Sequence, residues 1–313
     1  MTLLYDNSIF LEHDTGNHPE CGGRIIPIRK SLEANFPDGS IRRPDWNPAS
    51  ISRLARVHGR DYIESVKQFA EAGGGRIEVD TVVSPRSHDV ALMAAGAVCD
   101  AVQRVVGGED DRAFCLVRPP GHHALRDESM GFCLFNNVAI ASRVATSELG
   151  LERVLIVDWD VHHGNGTQAT FWEDPQVGFL SIHRWPFYPG TGAKDETGSG
   201  AGLGTTVNLP ITYGTPRDEY QKQFATALED LAAVVRPQLV LVSAGFDSHQ
   251  ADPIGSLGLE TEDFVPLTQA VIAIAKQYAG GKIVSVLEGG YDPNALADCI
   301  TTHLKELNAD SSL

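Results

Sequence analysis

From residue 113 onward five apolar runs recur: 113–117 AFCLV, 154–157 VLIV, 178–182 GFLSI, 239–243 LVLVS and 283–287 IVSVL. Each is short and uninterrupted rather than alternating, the pattern of a strand buried on both faces. Segments at helical spacing lie between them, at 136–148, 217–235 and 262–279. The last carries Glu262 and Asp263 in its first turn, where a helix dipole favours acids. Strand-like runs alternating with helices predict a parallel sheet covered on both sides. Upstream, 88–106 HDVALMAAGAVCDAVQRVV reads as a buried helix. Asn47-Pro48 offers an N-cap followed by proline, so 51–72 reads as one helix running to Gly73-Gly74-Gly75. His58 within it reads as a packed or capping histidine. No repeat, low-complexity tract or Pro/Ser-rich linker interrupts residues 1–313, so the expectation is one α/β domain.

Composition narrows the class. With 42% hydrophobic and 21% charged residues the chain has the make-up of a soluble globular protein. Twenty-five basic against 41 acidic residues leave a net charge of −16, which argues against nucleic-acid binding. That charge fits cationic partners and fits solubility alone equally well. The five cysteines form no C-x-x-C, and Cys99 and Cys115 sit in apolar surroundings, so reduced thiols in a cytoplasmic compartment are expected. The start, MTLLYDNSIFLEHD, lacks the basic region of a signal peptide, and no apolar stretch approaches the ~20 residues of a membrane span.

The polar residues that follow each run change the picture more. RPPGHHA follows the first, DWDVHHGNG the second, His183 and a long Pro/Gly loop the third, AGFDSHQADP the fourth and EGGYD the fifth. Ligands of open α/β sheets bind beyond the carboxyl ends of strands, so these loops are expected to converge on one site. If the strand persists beyond Val157, Asp158, Asp160 and His162 share a face, with Trp159, Val161 and His163 opposite. Asp160, His162 and Asp247 would hold a zinc-type metal and leave coordination open, as a catalytic site requires. His122 and His123 are the candidate bases, with Asp158 and Asn165 set to hydrogen-bond one histidine each. Tyr291 is placed to donate to a developing oxyanion, although a tyrosine there would also serve as packing. Arg24, in the loop HDTGNHPECGGR, is either structural or reaches a pocket.

HPE at 18–20, RPPGHHA, GFCLFNN, VDWDVHHGNGTQ, SAGFDSHQADP and EGGYD stand in the order and spacing of a known family. Over about residues 5–300 the chain closely resembles the zinc-dependent histone deacetylase superfamily, which includes the acetylpolyamine amidohydrolases. Its RPPGHHA and DWDVHHGNGTQ wording is similar to the class II branch. The resemblance implies a three-layer arginase/deacetylase fold with an eight-stranded, mostly parallel sheet. It implies zinc on Asp160, His162 and Asp247, although ferrous iron accepts the same ligands. It implies His123 as general base and acid facing Asn165, and His122 as an electrostatic partner paired to Asp158. Tyr291 would polarise the amide carbonyl.

The resemblance further implies potassium at Asp158, Asp160 and His162 with Ser181 and the Ile182 carbonyl. A second cation site would use carbonyls near Phe171, Asp174, Val177 and Thr205. A substrate tunnel would be walled by Gly131, Phe132 and Tyr188, with Ile254 at its rim and Arg24 beside an acetate channel. Two departures bear on substrate: the tunnel loop carries Phe187-Tyr188 where many relatives have Phe at the second position. Ile254 stands where a polyamine-selective relative has Glu. The implied substrate is acyl-lysine in a protein or peptide, with acetylated polyamines as the alternative. A non-catalytic acyl-lysine-binding protein is a further alternative. A binuclear manganese hydrolase would carry more acidic ligands than these motifs do.

Overall fold

The computed structural model describes residues 1–37 and 39–309. An eight-stranded sheet forms its centre, in the order β2 (Ile41–Arg42), β1 (Thr2–Tyr5), β5 (Arg112–Cys115), β10 (Ile283–Leu287), β9 (Leu239–Ala244), β6 (Val154–Asp158), β7 (Val177–Arg184) and β8 (Thr206–Ile211). Every neighbouring pair is parallel. A small antiparallel ribbon, β3 (Gly75–Arg76) with β4 (Val82–Val83), lies outside it. The five apolar runs are five adjacent strands, β5 to β7 in sheet order. All residues of β5, β6, β9 and β10 are buried, as unbroken apolar runs require when helices cover both faces.

Two groups of helices supply that cover. α4 (Ser87–Val106) packs on α5 (Asn137–Ser147), and between them they touch β5, β10, β6 and β9. On the other face α1 (Ile25–Asn35), α9 (Pro293–Ala309), α8 (Phe264–Tyr278) and α7 (Arg217–Val235) pack in that sequence, against β1, β5, β9, β6 and β7. α4 buries Val90, Ala94, Val98, Val102 and Val105, each side chain of that size contributing roughly 1–3 kcal/mol when withdrawn from water. Asn136 caps α5, its Oδ1 accepting from the Ala139 N–H at 3.0 Å. No helix among the described residues is long and apolar enough to cross a membrane.

The expected helix over 51–72 is two helices, α2 (Ile51–Leu54) and α3 (Arg60–Glu71). Ser50, not Asn47, caps the first, accepting from Arg53 N. The break falls where the His58 ring is pinned: Nδ1 lies 2.8 Å from the Leu125 carbonyl, and Nε2 accepts from Asn136 N at 2.9 Å. The segment opening at Thr261 is a short 3-10 turn before α8, with Glu260 and Asp263 forming a reciprocal capping box.

Candidate active site

The carboxyl ends of β5, β6, β9 and β10 meet through turns that only short residues permit. β6 ends at Asp158, so extended geometry does not carry through to His162. Instead Asp160 N donates to Asp158 Oδ1 (3.1 Å) and His162 N donates to Asp160 Oδ1 (2.9 Å). These nested Asx turns gather the side chains that a strand would have alternated. Val161 N donates to Asp247 Oδ1 (2.9 Å) and Gly289 N to Asp160 Oδ2 (2.8 Å), tying the loops of β9 and β10 to that of β6. A Cβ on Gly245 would lie 2.0 Å from Asp160 Oδ2, and one on Gly289 2.3 Å from Asp247 Oδ2. Two backbones therefore press directly on the carboxylates, and glycine is the residue that fits.

Asp160, His162 and Asp247 bring one ligand atom each within 4.8 Å of the others, and all three are buried. His162 Nδ1 lies 3.0 Å from Asp160 Oδ1 and 3.1 Å from Asp247 Oδ2. Ligand–ligand edges of about 3.3 Å follow from tetrahedral zinc bonds of about 2.0–2.1 Å, so the set fits such an ion with little movement. Asp247 Oδ2 is buried with the His162 ring nitrogen beside it but no hydrogen bond of good geometry. Burial and the charge of Asp160 push Asp247 up to about 7, as expected of crowded carboxylates that a cation would relieve. Burial opposes a charge on His162, but Asp160 and Asp247 hold a proton there and raise it to about 9; a metal ion would compete for that position.

The histidine pair stands beside this cluster, ring centroids 4.0 Å apart. His122 Nδ1 faces Asp158 Oδ2 at 3.0 Å, and His123 Nδ1 faces Asn165 Oδ1 at 2.7 Å. Asn165 Nδ2 points to the His123 carbonyl and Met130 Sδ, so its oxygen accepts from His123 Nδ1. Nε2 of His123 therefore carries the free lone pair. The two rings are driven apart electrostatically. Burial disfavours a charge on His122, but Asp158 and Asp160 prevail and push it up to about 10. Burial, and then the charges of His122 and His162, hold His123 well below the usual imidazole range. The two adjacent rings are thus shifted in opposite directions, the pattern that separates an acid from a base when two titratable groups share a site.

Tyr291 follows β10 and is nine-tenths buried; burial raises its phenol well above the ordinary value, against the pull of Arg24. Its backbone N donates to Asp252 Oδ2 (2.6 Å), and the Arg24 guanidinium lies 4.9 Å from its ring centroid. Arg24 itself is buried, donating to the carbonyls of Gly290 and Glu288, each at 2.6 Å. Gly131, at φ 56°, abuts His123, where a Cβ would meet Cδ2 at 2.2 Å. Phe132 stands edge-on to Tyr291 (5.7 Å), and Tyr188 edge-on to His123 (5.3 Å). Ile254 is about one-third exposed, its N bonded to Asp252 Oδ1 (2.9 Å). Asp158 pairs in register with Ser181, whose hydroxyl lies 3.0 Å from His183 Nδ1. Asp174 N bonds the Phe171 carbonyl, Thr205 O accepts from Phe179 N, and Val177 opens β7 beside them. His163 turns away, to Thr191 and Gln168.

Three residues beside the site were not singled out by sequence reasoning. Glu288 is fully buried and accepts from Gly121 N (2.7 Å) and His122 N (3.2 Å), fixing the histidine loop from below. Asp252 clamps Tyr291 and the 254–255 turn. Glu20 bridges Arg118 and Arg24, all three buried. An acid inside an otherwise apolar or glycine-rich motif was the available signal for Glu288 and Asp252.

Comparison with known proteins gives a consistent result. A family model described as the histone deacetylase domain matches residues 18–307. The "Uncharacterized protein slr0245" of Synechocystis sp. is 39% identical, covering 98% of this chain and 99% of its own. The "Histone deacetylase-like amidohydrolase" of Pseudomonas aeruginosa is 38% identical over 98% of this chain and 86% of that one. "Histone deacetylase 14, chloroplastic" of Arabidopsis thaliana is 35% identical, with coverage of 99% and 78%. The crystal structure of the HDA15 HD domain superposes with a TM-score of 0.93 at 34% identity, covering all of this chain and 89% of that domain. This chain belongs to the histone deacetylase domain family.

Proposed function

We propose that the protein is a zinc-dependent deacylase that removes acetyl or related acyl groups from the side-chain amine of lysine in proteins or peptides. Residues 1–313 would act as one deacetylase domain. The observation that carries the reading is the geometry of two adjacent histidine rings, His122 bonded to Asp158 and His123 to Asn165, standing against the Asp160, His162 and Asp247 cluster. Zinc held there would supply a Lewis acid that polarises the amide carbonyl and makes water easier to deprotonate. His123, neutral with Nε2 free, takes the proton of the attacking water. Asn165 fixes its tautomer. His122, held protonated by Asp158, balances charge as the carbonyl oxygen becomes negative, and the Tyr291 phenol donates to that oxygen. The histidine pair then returns a proton to the leaving amine, releasing acetate and lysine. Phe132 and Tyr188, backed by Gly131, wall the acyl chain, with Ile254 at the rim and Arg24 beside the acetate exit.

A potassium ion next to the zinc would use Asp158, Asp160, His162, Ser181 and the Ile182 carbonyl; the in-register pairing of Asp158 with Ser181 supports this. A second would use carbonyls near Phe171, Asp174, Val177 and Thr205. Acetylated polyamines are the second substrate reading, favoured by the acidic Glu78 and Asp80 in the β3–β4 turn, which flank Thr81 where it bonds the Phe132 N–H. A panel of acyl-lysine peptides, acetylspermidine and acetylputrescine, assayed with chelator and with zinc added back, tests both. Zinc-dependent acetate release from the peptides is expected. Turnover of the polyamines alone would transfer the proposal to them, and no turnover of any substrate would refute it.

A further inference from the structure

Phe132 adopts φ 70°, left-handed backbone that an aromatic residue rarely takes, and it follows Gly131 at φ 56°. Cys133 N closes the turn onto the Met130 carbonyl at 2.9 Å. Two consecutive positive φ values mark the primed type of hairpin turn, which favours Asn-Gly rather than Gly-Phe. That turn offers the Phe132 N–H no partner of its own. The partner comes from outside: Thr81 Oγ1 accepts from Phe132 N at 3.2 Å. Thr81 is fully buried in the turn of the β3–β4 ribbon, its carbonyl accepting from Ile77 N at 3.0 Å. Its hydroxyl donates to Glu78 Oε2 at 3.3 Å, which leaves the oxygen lone pair directed at Phe132. The neighbouring residue holds the ring. The Asp80 carbonyl binds His18 Nε2 (3.0 Å), and His18 stands edge-on to Phe132 with centroids 4.5 Å apart. Beyond Phe132 lies Tyr291.

We propose that Thr81 is a specificity-determining positioning residue. Its hydroxyl holds Phe132 in the left-handed turn, and so sets the width of the acyl channel between Phe132 and Tyr188. The proposal rests on the deacylase reading for its substrate and on geometry alone for the turn. Thr81 contacts neither the metal cluster nor the histidine pair in the bonds described, so its effect falls on binding and acyl length rather than on proton transfer.

The test combines crystal structures of the zinc-loaded wild type and Thr81→Val with steady-state kinetics on acetyl-, propionyl- and butyryl-lysine peptides. In Thr81→Val, Phe132 is expected to leave the left-handed region or its ring to shift. KM for the acetyl peptide should rise about tenfold with kcat nearly unchanged, and the butyryl-to-acetyl ratio of kcat/KM should change roughly fivefold. Thr81→Ser should restore both. An unmoved Phe132 with wild-type selectivity, or a serine variant that behaves like valine, overturns the proposal. Should Thr81→Val not fold, Glu78→Ala, at a partly exposed position, releases the hydroxyl and should shift the same ratio about twofold. That shift should vanish when Phe132 is alanine, and its absence or persistence there overturns the proposal. A wild type that hydrolyses none of the peptides refutes the deacylase reading, while the two crystal structures still decide the role of Thr81.

Discussion

Replacing Tyr291 with phenylalanine removes one oxygen atom and leaves the constraints on the residue in place. The ring keeps Arg24 over its face at 4.9 Å and Phe132 at its edge at 5.7 Å. The backbone keeps its 2.6 Å bond to Asp252. None of these contacts uses the hydroxyl, so fold and metal binding should survive. Catalysis should not. Burial holds the phenol in its protonated, donating form, since its pKa lies well above the ordinary value. Losing one preorganised donor to an oxyanion costs about 2.7–4 kcal/mol, or roughly 10²–10³ in kcat. Tyr291 as a whole residue is only 9% exposed, a site where a single donor counts for more than it would in water, which argues for the upper end of that range. Wild type and Tyr291→Phe should be compared at equal zinc content, measured by elemental analysis, on an acetyl-lysine peptide. A fall in kcat of less than about tenfold at matched zinc would refute the oxyanion role. Loss of zinc from the variant would refute the claim that the tyrosine stands apart from the metal.

Gly289→Ala places a Cβ about 2.3–2.5 Å from Asp247 Oδ2 and Asp160 Oδ2. Bound zinc per chain should drop sharply while the melting temperature moves by only a few degrees, and retained stoichiometric zinc would contradict the site geometry. Glu20→Gln leaves Arg118 and Arg24, both buried, short of their shared carboxylate, which Arg118 and His13 hold well below the usual range despite burial. A loss of about 3–5 kcal/mol in urea unfolding is expected, and a change under about 1 kcal/mol would show that the network is not a charged one. His58 is depressed by burial to about 4, so the folded protein keeps it neutral while the unfolded chain binds a proton near 6.5. Its contribution is complete above about pH 6.5, falls as pH drops toward 4, and amounts to roughly 3 kcal/mol across that window. Equilibrium unfolding of His58→Gln at pH 7 and pH 5 should show a smaller acid loss than wild type, and an equal loss would exclude His58 as its source.

What could be read from the chain divides along physical lines. The five apolar runs declared themselves because central parallel strands are buried on both faces and need no alternation. β1 is as buried as they are, yet four residues near the start of the chain give no period to detect. β8 lies at the sheet edge, half-exposed and interrupted by Pro210, so its pattern is that of a loop. The same contrast holds at the site. Asp160, His162 and Asp247 are legible because charged groups directly after an apolar strand demand an explanation. Thr81 is not, and Glu288 shows only as an acid beside glycines with no role attached, because both act on backbone: one takes the N–H of Phe132, the other those of Gly121 and His122. Any residue with an oxygen in the right place would serve, so residue type carries little information there. The proposed role of Thr81 would place part of substrate choice on a residue that only the folded chain reveals.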